Sequence, residues 1–324
     1  MPKGPPLFAW VPTCSVPANN GLKHRRSRPD TLISAILTAF TIEESSPMAS
    51  QHGDASRIAF IGGGNMARAI IGGLLAKGKP EDTIAVADPS PDAQRALVEM
   101  GVTRTVDDAG AIVSDADLIV LAVKPQIMRA VASGFRGTIP EGTVVMSIAA
   151  GISVKALKSY LGEDVAIVRC MPNTPALVGR GVAGLYADAG VSALQRDLAT
   201  DAMAAVGSTL WVDHETDIDT VIAVSGSGPA YFFAFMEAMI NVAVEMGMDR
   251  KTATDLTLQT ALGAATLASS VEISVSDLRR NVSSPGGTTE QAVKAFQEGG
   301  LETLVREAML ACKSRAEVMT KELE

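Results

Sequence analysis

The sequence is poor in the residues that build disulfides, metal sites and histidine-based catalysis. Its 324 residues include three cysteines and three histidines, and their spacing matches neither a disulfide framework nor a metal site. Two of the histidines precede residue 55, and the third, His214, lies in a polar connection that we expect to be solvated. We therefore predict no metal ion, a reducing cytoplasmic location and no histidine acid–base catalyst.

Positive charge is also scarce. The chain has 28 Lys and Arg against 36 Asp and Glu, which gives a net charge of −8 and a pI near 5.1. This balance argues against a nucleic-acid partner. Hydrophobic residues make up 47% of the chain and charged residues 20%, which is typical of a soluble globular protein, and we expect no membrane partner. The length allows two domains.

The first 55 residues differ in composition from the rest. They hold seven of the sixteen prolines and a basic cluster at 23–28. The apolar run 32–40 is too short to span a bilayer, and its distance from the basic cluster fits a signal peptide poorly. We interpret 1–55 as an extension that is disordered or that results from a mis-called start, with Met48 as the native first residue; a targeting segment is the alternative.

A glycine motif follows the first apolar run of the main chain. Arg57–Ile61 is typical of a buried strand, and Gly62–Ala67 has the G-x-G-x-x-A pattern before a helical stretch. Gly62 allows the tight turn, Gly64 lets a pyrophosphate approach, and Ala67 allows close packing of helix on strand. A tight turn without a ligand would use similar residues. The strand–turn–helix context favours dinucleotide binding.

Further apolar runs extend this pattern into a sheet. The next run ends at Asp88, an acid placed to accept hydrogen bonds from ribose hydroxyls. The predicted strands are 83–87, 117–123, 142–149 and 165–168. Since these runs alternate with helices, we expect a parallel sheet covered on both faces, with the ligand at the carboxyl ends of the strands. Lys124, at one such end, is interpreted as a positioning residue that acts mostly through its backbone.

From about Asp217 the pattern becomes helical. We predict three long helices. The first begins within 225–230 and ends near 246, and the other two span about 251–270 and about 301–321. These helices are so apolar that they indicate a subunit interface. The predicted fold is therefore an α/β Rossmann-type N-terminal domain, 56–215, followed by an all-α C-terminal substrate-binding and dimerisation domain, 216–324.

Two features point to the chemistry. The stretch 221–247 contains no Lys, Arg or His, so a base for oxidising an alcohol is missing there, and a C=N substrate fits better. The loop Ser283–Thr289 combines four hydroxyls with two glycines ahead of a predicted helix. Such a loop can hold a small carboxylate through hydroxyls and backbone N–H groups. The same residues also suit an ordinary capping turn with Thr288 as N-cap.

Taken together, these residues resemble pyrroline-5-carboxylate reductase over about 57–322. The motifs that carry the resemblance are Phe60–Ala67, Ala122–Pro125, Ile148–Gly151, Met171–Ala176, Val224–Tyr231 and Asn281–Thr289. The resemblance implies reduction of 1-pyrroline-5-carboxylate to L-proline with NADPH or NADH. It also implies a homodimer built from the helical domains, with five dimers forming a decamer. Each active site would lie between one subunit's nucleotide domain and the partner's helical domain.

The resemblance also implies site residues. Thr289 would hydrogen-bond the ring nitrogen as the catalytic residue, through a relay or with an imine that is already protonated. The substrate would contact Glu272, Ser284, Gly286, Gly287, Thr288 and Thr289. The cofactor would contact Ile61, Gly62, Gly63, Gly64, Asn65, Met66, Asp88, Val123, Lys124 and Ala150. The carboxylate of Asp88 favours NADH over NADPH, although Pro89 and Ser90 could make room for a phosphate.

Three alternatives remain open from the sequence. A β-hydroxy-acid dehydrogenase on the same scaffold is disfavoured by the missing base on 221–247. A reductase of another cyclic imino acid would differ only in ring size. A non-catalytic NAD(P)H sensor would bind the cofactor without turnover.

Overall fold

The computed structural model describes residues 56–323. The extension 1–55, and with it the hypothesis of a start at Met48, lies outside the described residues.

The N-terminal part is built on one eight-stranded sheet. Its order is β3-β2-β1-β4-β5-β6-β7-β8. The strands are β1 Ile58–Ile61, β2 Ile84–Ala87, β3 Arg104–Val106, β4 Leu118–Leu121, β5 Val144–Ser147, β6 Ala166–Met171, β7 Gly181–Ala187 and β8 Gly207–Trp211. The pairs from β3 to β6 are parallel, β7 is antiparallel to β6, and β8 is parallel to β7.

Helices cover both faces of this sheet. They are α1 Asn65–Ala76, α2 Pro91–Glu99, α3 Gly110–Val113, α4 Pro125–Ser133, α5 Val154–Leu161 and α6 Ala193–Ala204, with 3₁₀ turns at Glu81–Thr83 and Thr174–Val178. Alternate residues of the central strands enter two separate cores: Phe60 and Val120 lie in one, and Ile61 and Leu121 lie in the other. This two-sided burial explains why the strands are continuous apolar runs in the sequence.

The C-terminal part is entirely helical. It consists of α7 Asp217–Val221, a π-helical turn Ile222–Gly226, α8 Gly228–Glu245, α9 Arg250–Ser270, α10 Val275–Asn281, α11 Thr288–Glu298 and α12 Leu301–Leu323. The predicted class, a Rossmann-type domain followed by an all-helical domain, is confirmed. The three predicted long helices are present, and the short α10 was not predicted.

The strand predictions need two corrections. Four of the predicted strands are shorter than expected, because their end residues belong to the connecting segments: β1 begins at Ile58, β2 begins at Ile84, β4 spans Leu118–Leu121, and β5 spans Val144–Ser147. The fifth, β6, begins at Ala166 and extends to Met171, beyond its predicted end at 168. The sheet also has three strands that were not predicted, β3, β7 and β8, and β7 makes it mixed instead of parallel. All three lie at or beside an edge of the sheet. β3 has only three residues, β7 contains two glycines, and β8 alternates half-buried with exposed residues, so each gives a weak apolar signal.

The last helix returns to the sheet domain. The Tyr160 hydroxyl on α5 donates a hydrogen bond to the Leu323 carbonyl, at 3.2 Å. A small core of Ile218, Ile222 and Ala316 lies between the two parts, and Ala150 packs against it. The loop after β5 is therefore held by helical-domain side chains as well as by the sheet.

The helical part exposes many large apolar side chains within a single chain. On α8, Phe232 and Phe233 are 67% and 62% exposed, and Leu262 on α9 is 62% exposed. Further exposed large apolar residues of the helical part are Phe235, Met239, Val242, Met246, Leu256, Leu258, Phe296, Leu304, Val305 and Leu310. Large exposed apolar patches on soluble proteins mark interaction sites. A further copy of the chain is the partner expected from a symmetric assembly.

One helical stretch is also long and apolar enough to cross a membrane. By length and composition alone, 217–245 meets that criterion, with a mean hydropathy of 1.2. A single stretch of this kind is weak support for a membrane span, because helices that pack in the core of an assembly share its composition. The stretch includes α8, which packs against α9.

Candidate functional site

The glycine turn lies where the ends of β1 and β4 meet. Gly62 has φ +104°, a conformation that favours glycine, and its N–H donates to the Ala87 carbonyl at 2.8 Å. A Cβ at this residue would lie 2.8 Å from the Ala122 carbonyl oxygen and 3.1 Å from Val123 Cγ1. The backbone is thus pressed against the start of the next βα loop. Only glycine fits this position.

Asp88 holds the turn from the side of β2. Its Oδ2 accepts a hydrogen bond from the Gly63 N–H at 2.7 Å, and its Oδ1 accepts one from the Ser90 N–H at 2.8 Å. The sequence predicted a contact with ribose hydroxyls, and this bracing of the glycine turn was missed. Each carboxylate oxygen keeps a second lone pair for a further donor.

The start of α1 is open for an anionic group. Gly64 is the N-cap, no side chain caps the helix, and a Cβ on Gly64 would meet no atom within 4 Å. Asn65 and Met66 open the helix, so their N–H groups have no preceding turn to accept them. Open space, free N–H groups and the positive end of the helix dipole together fit a dinucleotide pyrophosphate. The predicted residues from Ile61 to Met66 therefore form one cradle.

Replacing Gly62 with alanine is expected to disrupt this cradle. The strained φ should cost about 1–3 kcal/mol of folding stability. Displacement of the loop should raise the Kd for NADH about tenfold or more, as for the loss of one hydrogen bond to a charged group. Titration of cofactor fluorescence and thermal unfolding measure both effects.

Gly78→Ala is the matched control. Gly78 has φ +88°, but a Cβ there would meet nothing within 4 Å. This variant should lose stability by about 1 kcal/mol and keep its Kd for NADH. Equal Kd values for Gly62→Ala and wild type would contradict the cradle.

The other predicted cofactor positions line the same edge. The Ala122 N–H donates to the Ile61 carbonyl at 2.8 Å, which holds the segment before Val123 beside the glycine turn. Val123 packs partly into the core, and the exposed Lys124 is the N-cap of α4, with no hydrogen bond from its side chain to the helix. Ala150 lies on the neighbouring loop after β5. The structure therefore brings these predicted residues together at the carboxyl ends of the strands, and we call this side of the sheet the cofactor edge.

Asn173 joins this edge to the helical part and was not singled out from the sequence. Its side chain is 8% exposed. Its Nδ2 donates to the Ser225 carbonyl at 3.1 Å, and its Oδ1 accepts from the Val182 N–H at 2.9 Å. Ser225 belongs to the π-helical turn before α8, a distortion that is frequent at functional sites. The signal in the sequence was an asparagine between two prolines at 172 and 175.

A second connection, also missed, is an ion pair. Arg169 on β6 is 4% exposed, and its Nη1 donates to Glu215 Oε1 at 2.9 Å. The same oxygen accepts the Val154 N–H at the start of α5, at 2.7 Å. Asp219 lies beside them, and we call Arg169, Glu215 and Asp219 the junction cluster. It ties the first turn of the helical part to the helix that follows the Ala150 loop.

Asp219 is the unfavourable member of the junction cluster. Burial raises its pKa above the ordinary value, and the charge of Arg169 opposes this. A carboxyl whose pKa is higher in the folded state binds more protons there than in the unfolded state. Stability is therefore lost as the pH rises from the unfolded pKa through the folded pKa. Asp219 ionises at a cost to the fold.

Asp219→Asn is accordingly expected to raise the thermal midpoint at neutral pH. The gain should shrink as the pH falls below the range in which Asp219 titrates, because the wild-type carboxyl is then protonated too. Thermal unfolding from pH 3.5 to 8 at a fixed protein concentration measures this. A gain that is independent of pH would contradict the assignment.

The segment Ser283–Thr289, which we call the hydroxyl-rich loop, connects α10 to α11 and includes the first two residues of α11. It is exposed apart from its half-buried residues 283 and 287. Gly286 has φ +73°, and the Gly287 N–H donates to the Ser284 carbonyl at 2.9 Å. A Cβ on Gly287 would lie 2.9 Å from that carbonyl oxygen, so the turn requires glycine. The N-cap of α11 is Gly287, and the expectation that Thr288 caps it is wrong, because Thr288 is already the first helical residue.

The hydrogen bonds recorded for this loop stay within it and the adjoining helices. The Ser283 hydroxyl donates to the Arg279 carbonyl at 2.7 Å, and the Gly286 N–H donates to Glu290 Oε2 at 2.8 Å. Glu272 is exposed between α9 and α10. The predicted substrate residues therefore all lie in the helical part, and no hydrogen bond found among the described residues joins them to the cofactor edge. No cluster of three or more His, Cys, Asp or Glu residues in 56–323 could hold a metal ion.

Comparisons with known families match both parts of the chain. Residues 215–319 match the family model described as pyrroline-5-carboxylate reductase dimerisation. Residues 57–151 match the model described as NADP oxidoreductase, coenzyme F420-dependent.

Curated relatives cover the described chain almost completely. The pyrroline-5-carboxylate reductase of Pseudomonas aeruginosa is 48% identical over 267 residues, which is 82% of this chain and 98% of that protein. The Escherichia coli K12 enzyme of the same name is 38% identical over 266 residues, with the same coverage of both chains.

Solved structures agree in fold. A pyrroline-5-carboxylate reductase from Coxiella burnetii superposes with a TM-score of 0.79 at 42% identity, covering 82% of this chain and 99% of that one. The Plasmodium falciparum pyrroline carboxylate reductase with NADP bound has a TM-score of 0.74 at 26% identity, with the same coverage.

Proposed function

The chain belongs to the pyrroline-5-carboxylate reductase family, and we propose that it reduces 1-pyrroline-5-carboxylate to L-proline with NAD(P)H, the last step of proline synthesis. The observation that carries the proposal is similarity along nearly the whole length of its relatives, with 48% identity over 98% of the P. aeruginosa reductase. The reaction places a hydride on the imine carbon and a proton on the ring nitrogen. The protein is accordingly an oxidoreductase.

The cofactor-binding role is assigned to the sheet edge. A bound nicotinamide cofactor supplies the hydride. The cradle of Gly62, Gly63 and Gly64 would hold its pyrophosphate, with Asn65 and Met66 at the helix start and Val123, Lys124 and Ala150 along the neighbouring loops. The carboxylate of Asp88 would repel a 2′-phosphate, which supports a preference for NADH. We expect the ratio of kcat/KM for NADH to that for NADPH to exceed one.

The substrate-binding role is assigned to the hydroxyl-rich loop. Ser284, Gly286, Gly287 and Thr288 would surround the substrate carboxylate, and Glu272 would lie beside the ring. The Thr289 hydroxyl would hydrogen-bond the ring nitrogen. An aliphatic hydroxyl is a weak acid, so we propose either that the imine binds already protonated, with its N–H donating to the Thr289 oxygen, or that a relay delivers the proton to the nitrogen.

The helical part forms a homodimer. Because no hydrogen bond of the described residues joins the cofactor edge to the hydroxyl-rich loop within one chain, we propose that each active site combines one subunit's edge with the partner's loop. We further propose that five dimers assemble into a decamer. Analytical ultracentrifugation should give a mass of ten chains, and a mass of two chains would restrict the assembly to the dimer. We also propose that the domain boundary lies at 215/216 and that the protein is located in the cytoplasm.

The deciding experiment follows the oxidation of NADH and NADPH with pyrroline-5-carboxylate. Saturable turnover is expected with both cofactors. A higher kcat/KM with the six-membered cyclic imino acid would assign the enzyme to that substrate instead. Cofactor binding without turnover of either imine would indicate the sensor and reject the assignment.

A further inference from the structure

One carboxylate of the chain already occupies a donor of the hydroxyl-rich loop. Glu290, the third residue of α11, turns back over the helix start, and its Oε2 accepts the Gly286 N–H at 2.8 Å. The glycine it holds has φ +73°. An acid at the third helical position is also favourable for the positive end of the helix dipole. Glu290 thus ties the first turn of α11 to the middle of the loop.

This contact divides the backbone donors of the loop into two groups. The Gly286 N–H is engaged by Glu290, and the Gly287 N–H is engaged by the Ser284 carbonyl at 2.9 Å. The N–H groups of Thr288 and Thr289 open α11, where no earlier helical turn accepts them. An arriving carboxylate would therefore meet the Thr288 and Thr289 N–H groups first.

We propose that Glu290 is a positioning residue for substrate recognition. This inference rests on the substrate-binding role proposed for the hydroxyl-rich loop. The Glu290 carboxylate fixes the turn at Gly286 and directs the substrate carboxylate to the N–H groups of Thr288 and Thr289. Its negative charge also lies beside the loop that would receive the substrate carboxylate. The tether at Gly286 favours substrate binding, whereas repulsion between the two carboxylates opposes it.

Two substitutions separate these effects. Glu290→Ala removes the acceptor, so the turn loses its tether, and KM for pyrroline-5-carboxylate should rise roughly three- to tenfold, the change expected for one net hydrogen bond. Glu290→Gln keeps an acceptor oxygen and removes the charge. Its KM should equal or fall below the wild-type value. In both variants kcat and KM for NADH should stay within about twofold of wild type.

Glu298→Ala is the matched control. Glu298 is an exposed acid at the other end of α11, 3.7 Å from Lys294. This variant changes the net charge by the same amount and should leave KM unaltered. Assays with 1-pyrroline, the same ring without a carboxylate, separate recognition of the carboxylate from a structural role, which would raise KM for both substrates. The KM effect of Glu290→Ala should vanish with that substrate.

The outcomes separate this inference from the proposed function. An unchanged KM in Glu290→Ala, or an equal rise in Ala and Gln variants, would overturn the positioning role. So would a rise that persists with 1-pyrroline. If Thr289→Ala lowers kcat/KM while Glu290→Ala does nothing, only the inference fails. If neither variant changes the kinetics of a working reductase, the substrate site lies elsewhere and the proposed loop role fails.

Discussion

Thr289→Ala is expected to lower kcat/KM for pyrroline-5-carboxylate by about tenfold to a hundredfold, the loss expected for one hydrogen bond to a charged group. Thr289 is exposed at the second position of α11. In the proposed role, the substitution removes the hydroxyl that hydrogen-bonds the ring nitrogen but leaves the backbone N–H in place. The loss should therefore fall mainly on kcat. Steady-state kinetics with saturating NADH measure it.

Thr289→Ser supplies the control for this prediction. Serine keeps the hydroxyl and should retain most of the wild-type kcat/KM, and the thermal midpoints of both variants should match wild type because the side chain is exposed. A wild-type kcat/KM in the alanine variant would remove Thr289 from the mechanism. Equal losses in Ala and Ser variants would assign the effect to the methyl group and its packing.

Arg169→Ala is expected to lower the free energy of unfolding by about 3 kcal/mol, at the lower end of the range for breaking a buried ion pair because Glu215 is partly exposed. The arginine side chain is 5% exposed and that of Glu215 is 29% exposed. Removing the arginine side chain leaves the half-buried carboxylate of Glu215 without its partner and creates a cavity next to β6. Denaturant titration at a fixed protein concentration measures the loss.

A surface ion pair is the appropriate control. Lys251 lies 2.5 Å from Asp255 on α9, with side chains 85% and 60% exposed. Lys251→Ala should cost less than about 0.5 kcal/mol. Because Glu215 also holds the Val154 N–H, Arg169→Ala should raise KM for NADH as well. A loss equal to that of Lys251→Ala would show that the junction cluster contributes little.

The geometry of the glycine turn was largely predictable from the sequence. A dinucleotide turn depends on residues that are consecutive: the strand before Gly62, the open cap at Gly64 and the helix that follows. Local steric limits on φ and the lack of room for a Cβ require glycine at specific steps, so the chemistry is visible in the pattern. The acid at the end of the second strand was also recognised. Its bracing of the Gly63 N–H was not, because that contact spans 25 residues.

The errors have related causes. The short α10 was missed because seven residues with no apolar periodicity carry little signal. Thr288 was a plausible N-cap by residue type, but the turn at Gly286 and Gly287 places the start of the helix one residue earlier. The strands β3, β7 and β8 were missed because their burial depends on neighbouring strands more than on their own composition.

The sequence by itself determined the two-part architecture, the dinucleotide turn and the hydroxyl-rich loop, because each arises from residues close together in the chain. Only the tertiary structure decided how the parts are joined. Arg169 meets Glu215, Asn173 meets Ser225, and Tyr160 meets Leu323 through contacts between residues 46 to 163 positions apart. Such contacts depend on how packed elements approach one another, and no local pattern encodes that approach. The same reason hid Asp88's hold on the glycine turn.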